Sequence, residues 1–266
     1  MNPVALLVGQ FVVVTVGVIA AWIVATRRLP APWSAIGWGA LTFPLSQVAR
    51  YIVLIPVTLG LGAVLGATSP VMTTVGIVLA VLTSGIFEEG ARWIVMRYWA
   101  KGVRTWPTGV AFGLGHGGIE ALLLIGMNAI NGVVLFSTAE VARGAVAQSA
   151  PDQLPTLDAQ IAAFEGITLG VAGLGVWERA LAICFHVMCS LIVMQAVRTR
   201  RLPLLLLAMA AHCGFNAIAV GLSQGASPLV VELLLTLCML PVLWVALRGP
   251  LSRARLDGRP SDVPTG

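Results

Sequence analysis

Residues 3–28 read PVALLVGQFVVVTVGVIAAWIVATRR: 24 residues without a charge, closed by Arg27 and Arg28. About 20 such residues cross the roughly 30 Å hydrocarbon core of a bilayer, so the run reads as a membrane-spanning helix. The remainder of the sequence has the same character. Of 266 residues 58% are hydrophobic and 10% charged, with a mean hydropathy of +0.93. That balance excludes a soluble globular domain, a disordered chain and a fibrous repeat. The net charge of +5 sits on short basic runs between apolar stretches. It forms no continuous basic face, which excludes nucleic acid as a partner.

Apolar runs bounded by Pro, Gly and charges predict seven spans, near residues 3–25, 34–60, 71–100, 107–137, 170–197, 203–223 and 228–247. The fold class is all-α, a polytopic transmembrane helical bundle forming one domain over residues 1–248. Pro44 and Pro56 predict a kink in the second span, or two shorter helices. The long connection at about 138–169 is expected to carry a short surface helix in its Ala-rich part after Pro155, and residues 249–266 a flexible cytoplasmic tail. No Lys or Arg precedes Arg27, so the charged start of a signal peptide is lacking. Twelve of the 16 basic residues fall after spans one, three, five and seven. The positive-inside rule then sets the N-terminus outside and the C-terminus inside, in what is expected to be a bacterial cytoplasmic membrane with lipid as a partner. All four cysteines lie within spans, which indicates no disulfide framework.

An ionisable side chain in the middle of a spanning helix costs about 2.5–3.5 kcal/mol on insertion scales, so such residues mark function first. All three histidines, His116, His186 and His212, fall inside spans, with Glu88, Glu89, Arg92, Glu120, Glu178 and Arg179. Glu88, His116, His186 and His212 each lie nine to twelve residues from the nearest basic cluster at the cytoplasmic side. At 1.5 Å per residue that is roughly 14–18 Å in, near the midplane, from four different helices. Independent placement would scatter these depths, so one shared site is expected. Glu88 and Arg92, His116 and Glu120, and His212 and Asn216 are i,i+4 pairs that share helix faces. Gly113, Gly115, Gly117 and Gly118 around His116 would let backbones approach closely.

A buried carboxylate among histidines and a carboxamide suits amide hydrolysis by activated water, with Glu88 or Glu89 taking the proton and His212 and Asn216 donating to the oxyanion. Alternatively His116, His186 and His212 bind zinc, with Glu88, Glu89 or Glu120 as base or fourth ligand. Both versions, with metal and without, remain open on the residues alone. So do two other functional classes, a proton-coupled transporter using the Glu/His set as a relay and a non-catalytic scaffold.

Glu-Glu-x-x-Arg at residues 88–92 on one span, His-x-x-x-Glu at 116–120 on the next and His-x-x-x-Asn at 212–216 on a later one resemble the YhfC-type intramembrane metalloproteases, relatives of the CAAX prenyl protease and bacteriocin-processing group. The resemblance covers roughly residues 35–245 and includes the segment from Trp177 through Glu178 and Arg179 to His186. It implies a membrane peptidase acting on a protein or peptide substrate. It further implies that Glu88 or Glu89 with His116 positions the water, and that His212 with Asn216 stabilises the oxyanion. The prenyl-protease pattern has one more residue before its arginine. Here Arg92 is therefore turned by about 100° around the helix, toward a different glutamate.

Other polar residues take plainer expectations. Glu120 either orients His116 or pairs with a neighbouring helix. Gln47, Arg50, Glu178 and Arg179 are expected to pair structurally, and Glu232, at the start of the last span, to be solvated. Trp33, Trp99 and Trp106 fit an interfacial aromatic belt.

Overall fold

The computed structural model describes residues 2–257. Among these residues seven helical segments are long and apolar enough to cross a membrane: α1 (Pro3–Arg28), α2 (Trp33–Leu65), α3 (Pro70–Ile94, continued by a π-helical turn to Trp99), α4 (Trp106–Ser149), α6 (Leu169–Thr199), α7 (Leu202–Asn216, continued by π- and 3-10-helical turns to Gln224) and α8 (Pro228–Leu247). Two short helices complete the set, α5 (Leu154–Glu165) and α9 (Arg253–Leu256). The protein is an all-α integral membrane protein.

Local chemistry sets the helix boundaries. Proline stands in the first turn of α1, α3, α4, α7 and α8, where its missing N–H costs nothing. Asn2, Ser69 and Thr168 accept backbone N–H bonds as N-caps. Thr105 and Thr108 exchange bonds in a capping box at the start of α4. Gly66, at φ 82°, ends α2 in a conformation that would strain any side chain.

Of the two alternatives for the second span, the single helix is found: Pro44 and Pro56 both lie inside a continuous α2. Two elements depart from the sequence expectation. α4 continues 12 residues past position 137, because residues 138–149 are rich in alanine and other residues that suit an exposed helix. α5 packs back on α4: Arg143 Nε in the added turns donates to Asp158 at 2.7 Å, and Phe164 lies over Gly132 further down the helix. Residues 249–257, expected to begin a flexible tail, instead fold back onto the bundle. Asp257 accepts from the Trp106 N–H at 2.6 Å, and the Leu256 carbonyl accepts from Arg198 at 2.7 Å. The remainder of that expected tail lies outside the described residues.

The bundle is apolar on both its inside and its outside. Val16, Ile52, Leu59, Val64 and Leu237 stand exposed, as lipid contact demands. α6 is the central helix, with 72% of its apolar window buried against 28% or less in the other spans. α4 packs against α1, α2 and α6, and its glycines make this possible. A Cβ at Gly115 would strike the Ile36 carbonyl of α2, and one at Gly113 would strike the Val187 backbone of α6. Gly117 lies against Ile183 and His186, and Gly118 against Trp22 of α1. One helix thus meets three neighbours through side-chain-free patches.

These contacts predict that Gly115→Ala lowers stability by about 1–3 kcal/mol, the usual cost of overpacking. Gly37→Ala, where a new methyl would meet nothing within 4 Å, should be neutral or slightly stabilising through helix propensity. Thermal unfolding of the two variants in the same detergent checks the difference.

Candidate active site in the middle of the bundle

The polar residues of α3, α4, α6 and α7 converge. Glu88, Glu89 and Arg92 on α3, His116 on α4, His186 on α6 and His212 on α7 are all buried, with Glu89, Arg92 and His116 completely so. The rings of His116 and His186 lie 5.0 Å apart between centroids, and those of His186 and His212 5.2 Å apart. Residues separated by up to 124 positions in sequence thus form one cluster.

Arg92 organises it. Its Nη1 donates to both oxygens of Glu89 at 2.9 Å, and its Nη2 donates to His186 Nδ1 at 3.1 Å. The pairing is with Glu89 at i,i+3 and not with Glu88 at i,i+4, in keeping with the shortened Glu-Glu-x-x-Arg spacing. Glu89 also contacts His212 Nδ1 at 2.7 Å. Glu88 is left to face the other way: its Oε2 meets His116 Nε2 at 3.1 Å and its Oε1 accepts from Gln47 at 3.1 Å. Glu120 touches His186 Nε2 at 2.5 Å and is approached by Arg179 at 3.7 Å, which also pairs with its neighbour Glu178. Phe43 meets His116 edge-on at 5.5 Å. Phe185 does the same to His212 at 5.6 Å while stacking on Phe215. Aromatic walls thereby keep the charges in a low-dielectric setting, where each interaction is strengthened.

A cavity of about 240 Å³ opens onto this cluster. Its lining includes Glu88, Glu120, His186, Asn216, Ser84 and Arg50. Asn216 donates to Ser84 at 2.6 Å. His212 does not line the cavity; it stands behind Glu88, with Nε2 at 3.8 Å from that carboxylate. The expected His212–Asn216 pair is therefore split, with Asn216 on the cavity wall and His212 in the layer that holds the two glutamates.

The zinc set expected from the sequence is divided in the same way. Donor atoms of Glu88, His116, Glu120 and His186 lie within 4.8 Å of one another, while His212 groups with Glu89 and Cys189. Two imidazoles and two carboxylates are a donor set that zinc accepts. One orphaned atom in this group fits a missing partner: His116 Nδ1 is buried without a hydrogen bond, whereas Glu120 Oε2 is met by His186 Nε2. The proton count adds a condition. Arginine can only donate, so a neutral His186 carries its proton on Nε2, toward Glu120; a cation at Nε2 needs that proton to leave. His212 meets the opposite arrangement, since an Nδ1 proton given to Glu89 frees its Nε2, the carboxylate–histidine pattern of many metal sites.

Of the plainer expectations, Glu232 is corrected. It is buried at 7% exposure with Oε2 unpartnered, because α8 packs this turn against α6 over a small cavity shared with Gln10, Asn128 and Glu178. Arg179 does pair with Glu178, yet through Glu120 it also joins the central cluster. Ser84 and Cys189 were not among the residues singled out from sequence. Ser84 stands four residues before Glu88 and Cys189 three after His186, so helical spacing from known site residues was the signal that could have found them.

Comparison with known proteins agrees with this picture. A family model described as YhfC intramembrane metalloprotease matches residues 11–235. The uncharacterized membrane protein YhfC of Bacillus subtilis (strain 168) is 32% identical over 170 residues, which is 62% of this protein and 65% of that one. The match thus spans slightly less than two thirds of the relative's length. No solved structure matches. With its three polar motifs gathered at one buried cluster and the family model covering most of its length, the chain belongs to the YhfC intramembrane metalloprotease family.

Proposed function

We propose that the protein is an intramembrane peptidase that hydrolyses a peptide bond in the cavity beside Glu88. The observation that carries this reading is the convergence of buried ionisable side chains from α3, α4 and α6 on one cavity of the bundle, where keeping them has a large insertion cost. The family description supports the same chemistry.

His116, His186 and Glu120 are the residues that would hold zinc, with Glu88 beside them. When bound, zinc supplies Lewis-acid activation of water and of the peptide carbonyl. The protein's own groups do the rest. Glu88 borders the cavity and takes the proton from water, then returns it to the leaving amine. Gln47 and His116 fix its two oxygens, so the carboxylate is oriented before substrate arrives. The Asn216 carboxamide gives one proton to Ser84 and keeps a second for the carbonyl oxygen as charge develops there. His212 is a positioning residue, holding Glu89 on Arg92's side of the cluster.

Two measurements test this. Elemental mass spectrometry of purified protein should find about one zinc per molecule, lost in a His116→Ala, His186→Ala double variant and kept in His212→Ala. Zinc lost with His212 and kept without His186 would move the metal to the other group of donors. Folded wild-type protein without stoichiometric metal would remove zinc from the mechanism. In a peptide-cleavage assay, Glu88→Gln should retain zinc and lose activity by about 10²–10⁴-fold, the scale of a missing general base. Undiminished cleavage in Glu88→Gln would overturn its assigned role.

A further inference from the structure

Apart from the basic clusters at one end of the bundle, the protein has four arginines: Arg50, Arg92, Arg143 and Arg179. Arg92 pairs with Glu89, Arg143 with Glu140 and Asp158, and Arg179 with Glu120 and Glu178. Arg50 has no carboxylate within 4.0 Å among the described residues, though it lies on the wall of the catalytic cavity.

Its position is nevertheless held firmly. Nε donates to Thr83 Oγ1 at 2.9 Å, Nη2 to the Ala80 carbonyl at 2.8 Å and Nη1 to Gln47 Oε1 at 3.1 Å. These neutral acceptors orient the guanidinium without cancelling its charge. Three of its five N–H groups are used, which leaves one on each Nη, the pair that grips a carboxylate in a two-pronged contact. Gln47 also donates to Glu88, so a single carboxamide separates the cation from the catalytic carboxylate. Two such hydrogen bonds and the amide between them put Arg50 within roughly 9 Å of Glu88, the reach of two to three extended residues at about 3.5 Å each.

A second cavity adjoins the first. Phe43, Gln47 and Tyr51 line both the catalytic cavity and a neighbouring apolar groove of about 500 Å³ along α2, whose other walls include Val48, Ile52 and Leu123. Val48 and Ile52 are on the exposed apolar surface of the bundle. A membrane-embedded peptide segment lying in that groove would bring its polar end to Arg50.

We propose that Arg50 is the anion-binding subsite of the peptidase, taking a substrate carboxylate two to three residues from the bond that is cut. The proposal rests on the peptidase reading. A carboxylate there is attracted by the one guanidinium at the cavity with no internal counter-ion among the described residues, and its binding sets the register of the scissile bond against Glu88. The carboxylate comes either from the free C-terminus of the substrate or from an Asp or Glu side group within it.

The test uses purified full-length protein in lipid nanodiscs and a library of apolar synthetic peptides, with cut sites read by mass spectrometry. The peptides come in matched pairs: C-terminal acid against carboxamide, and internal Asp against Asn. Wild type should cut the carboxylate member of one pair type at least about tenfold faster, the scale of one charge-assisted bond, two to three residues from the charge. The pair type that shows the ratio identifies the source. Arg50→Gln should bring the ratio close to one, and Arg50→Lys should keep most of it. Equal cutting of both members by wild type overturns the subsite while leaving the peptidase intact, and this comparison needs no variant to fold. A ratio that survives in Arg50→Gln overturns it as well. If wild type cuts no peptide at all, the peptidase reading fails and the subsite falls with it.

Discussion

The site depends on one buried ion pair. Arg92 and Glu89 are wholly removed from solvent, and their contact joins α3 to itself, to α6 through His186 and to α7 through His212. A guanidinium in such surroundings needs charged and hydrogen-bonding partners to offset its desolvation. Glu89 accepts from Nη1 and His186 from Nη2, while Nε is buried without a partner, so a network rather than a single bond offsets part of the desolvation cost. The network fixes direction as well as position. Because Glu89 is committed to Arg92 and His212, Glu88 is the glutamate of the pair that turns to the cavity. Because Arg92 faces His186 Nδ1, the opposite nitrogen of that ring points to Glu120.

The network can form only because the helices come close. His116 and Glu88 are 3.1 Å apart although they belong to different spans, and neither side chain is long. Gly113 and Gly117 bring α4 against α6 on the two turns that flank His116, and Gly115 brings it against α2. Larger residues there would separate the backbones by the width of a methyl group or more, and the short side chains of the cluster would lose contact. In a bilayer, where apolar side chains gain little by leaving lipid, such close packing is itself a main source of helix association. Fold stability and site geometry therefore rest on the same glycines.

Much of this was legible in the sequence. The seven spans follow from runs of apolar residues, and the last appears at residues 228–247 as expected. The convergence of Glu88, His116, His186 and His212 follows from counting residues to the nearest basic cluster, since a membrane fixes depth and a helix converts residue number into depth. What a sequence does not encode directly is the rotation of each helix about its axis. His212 and Asn216 share a face by spacing, yet a modest turn of α7 puts Asn216 at the cavity and His212 behind Glu88. The same holds for Glu232, whose place at the start of a span says nothing of α8 closing over it. Helix length beyond the bilayer is hidden for another reason. An Ala-rich segment with a few charges suits a loop on hydropathy and a helix on propensity, and in α4 propensity prevails.

The distribution of charge connects the fold to the chemistry. Around the cavity and its supporting layer stand four carboxylates, Glu88, Glu89, Glu120 and Glu178, and three guanidiniums, Arg50, Arg92 and Arg179. With the histidines neutral, the cluster is one positive charge short of balance. In a low-dielectric interior such an imbalance is costly, so it favours a group that supplies the difference. One proton would do so, on an imidazole or on one of the buried carboxylates. A divalent cation overshoots by one charge instead, and the surplus is met by an anion in the cavity. Under the proposed function, a cation and an anionic substrate group bound together would bring the site close to neutrality. Arg50, whose guanidinium is oriented by neutral acceptors and paired with none of the four carboxylates, stands at the place where that anion would arrive.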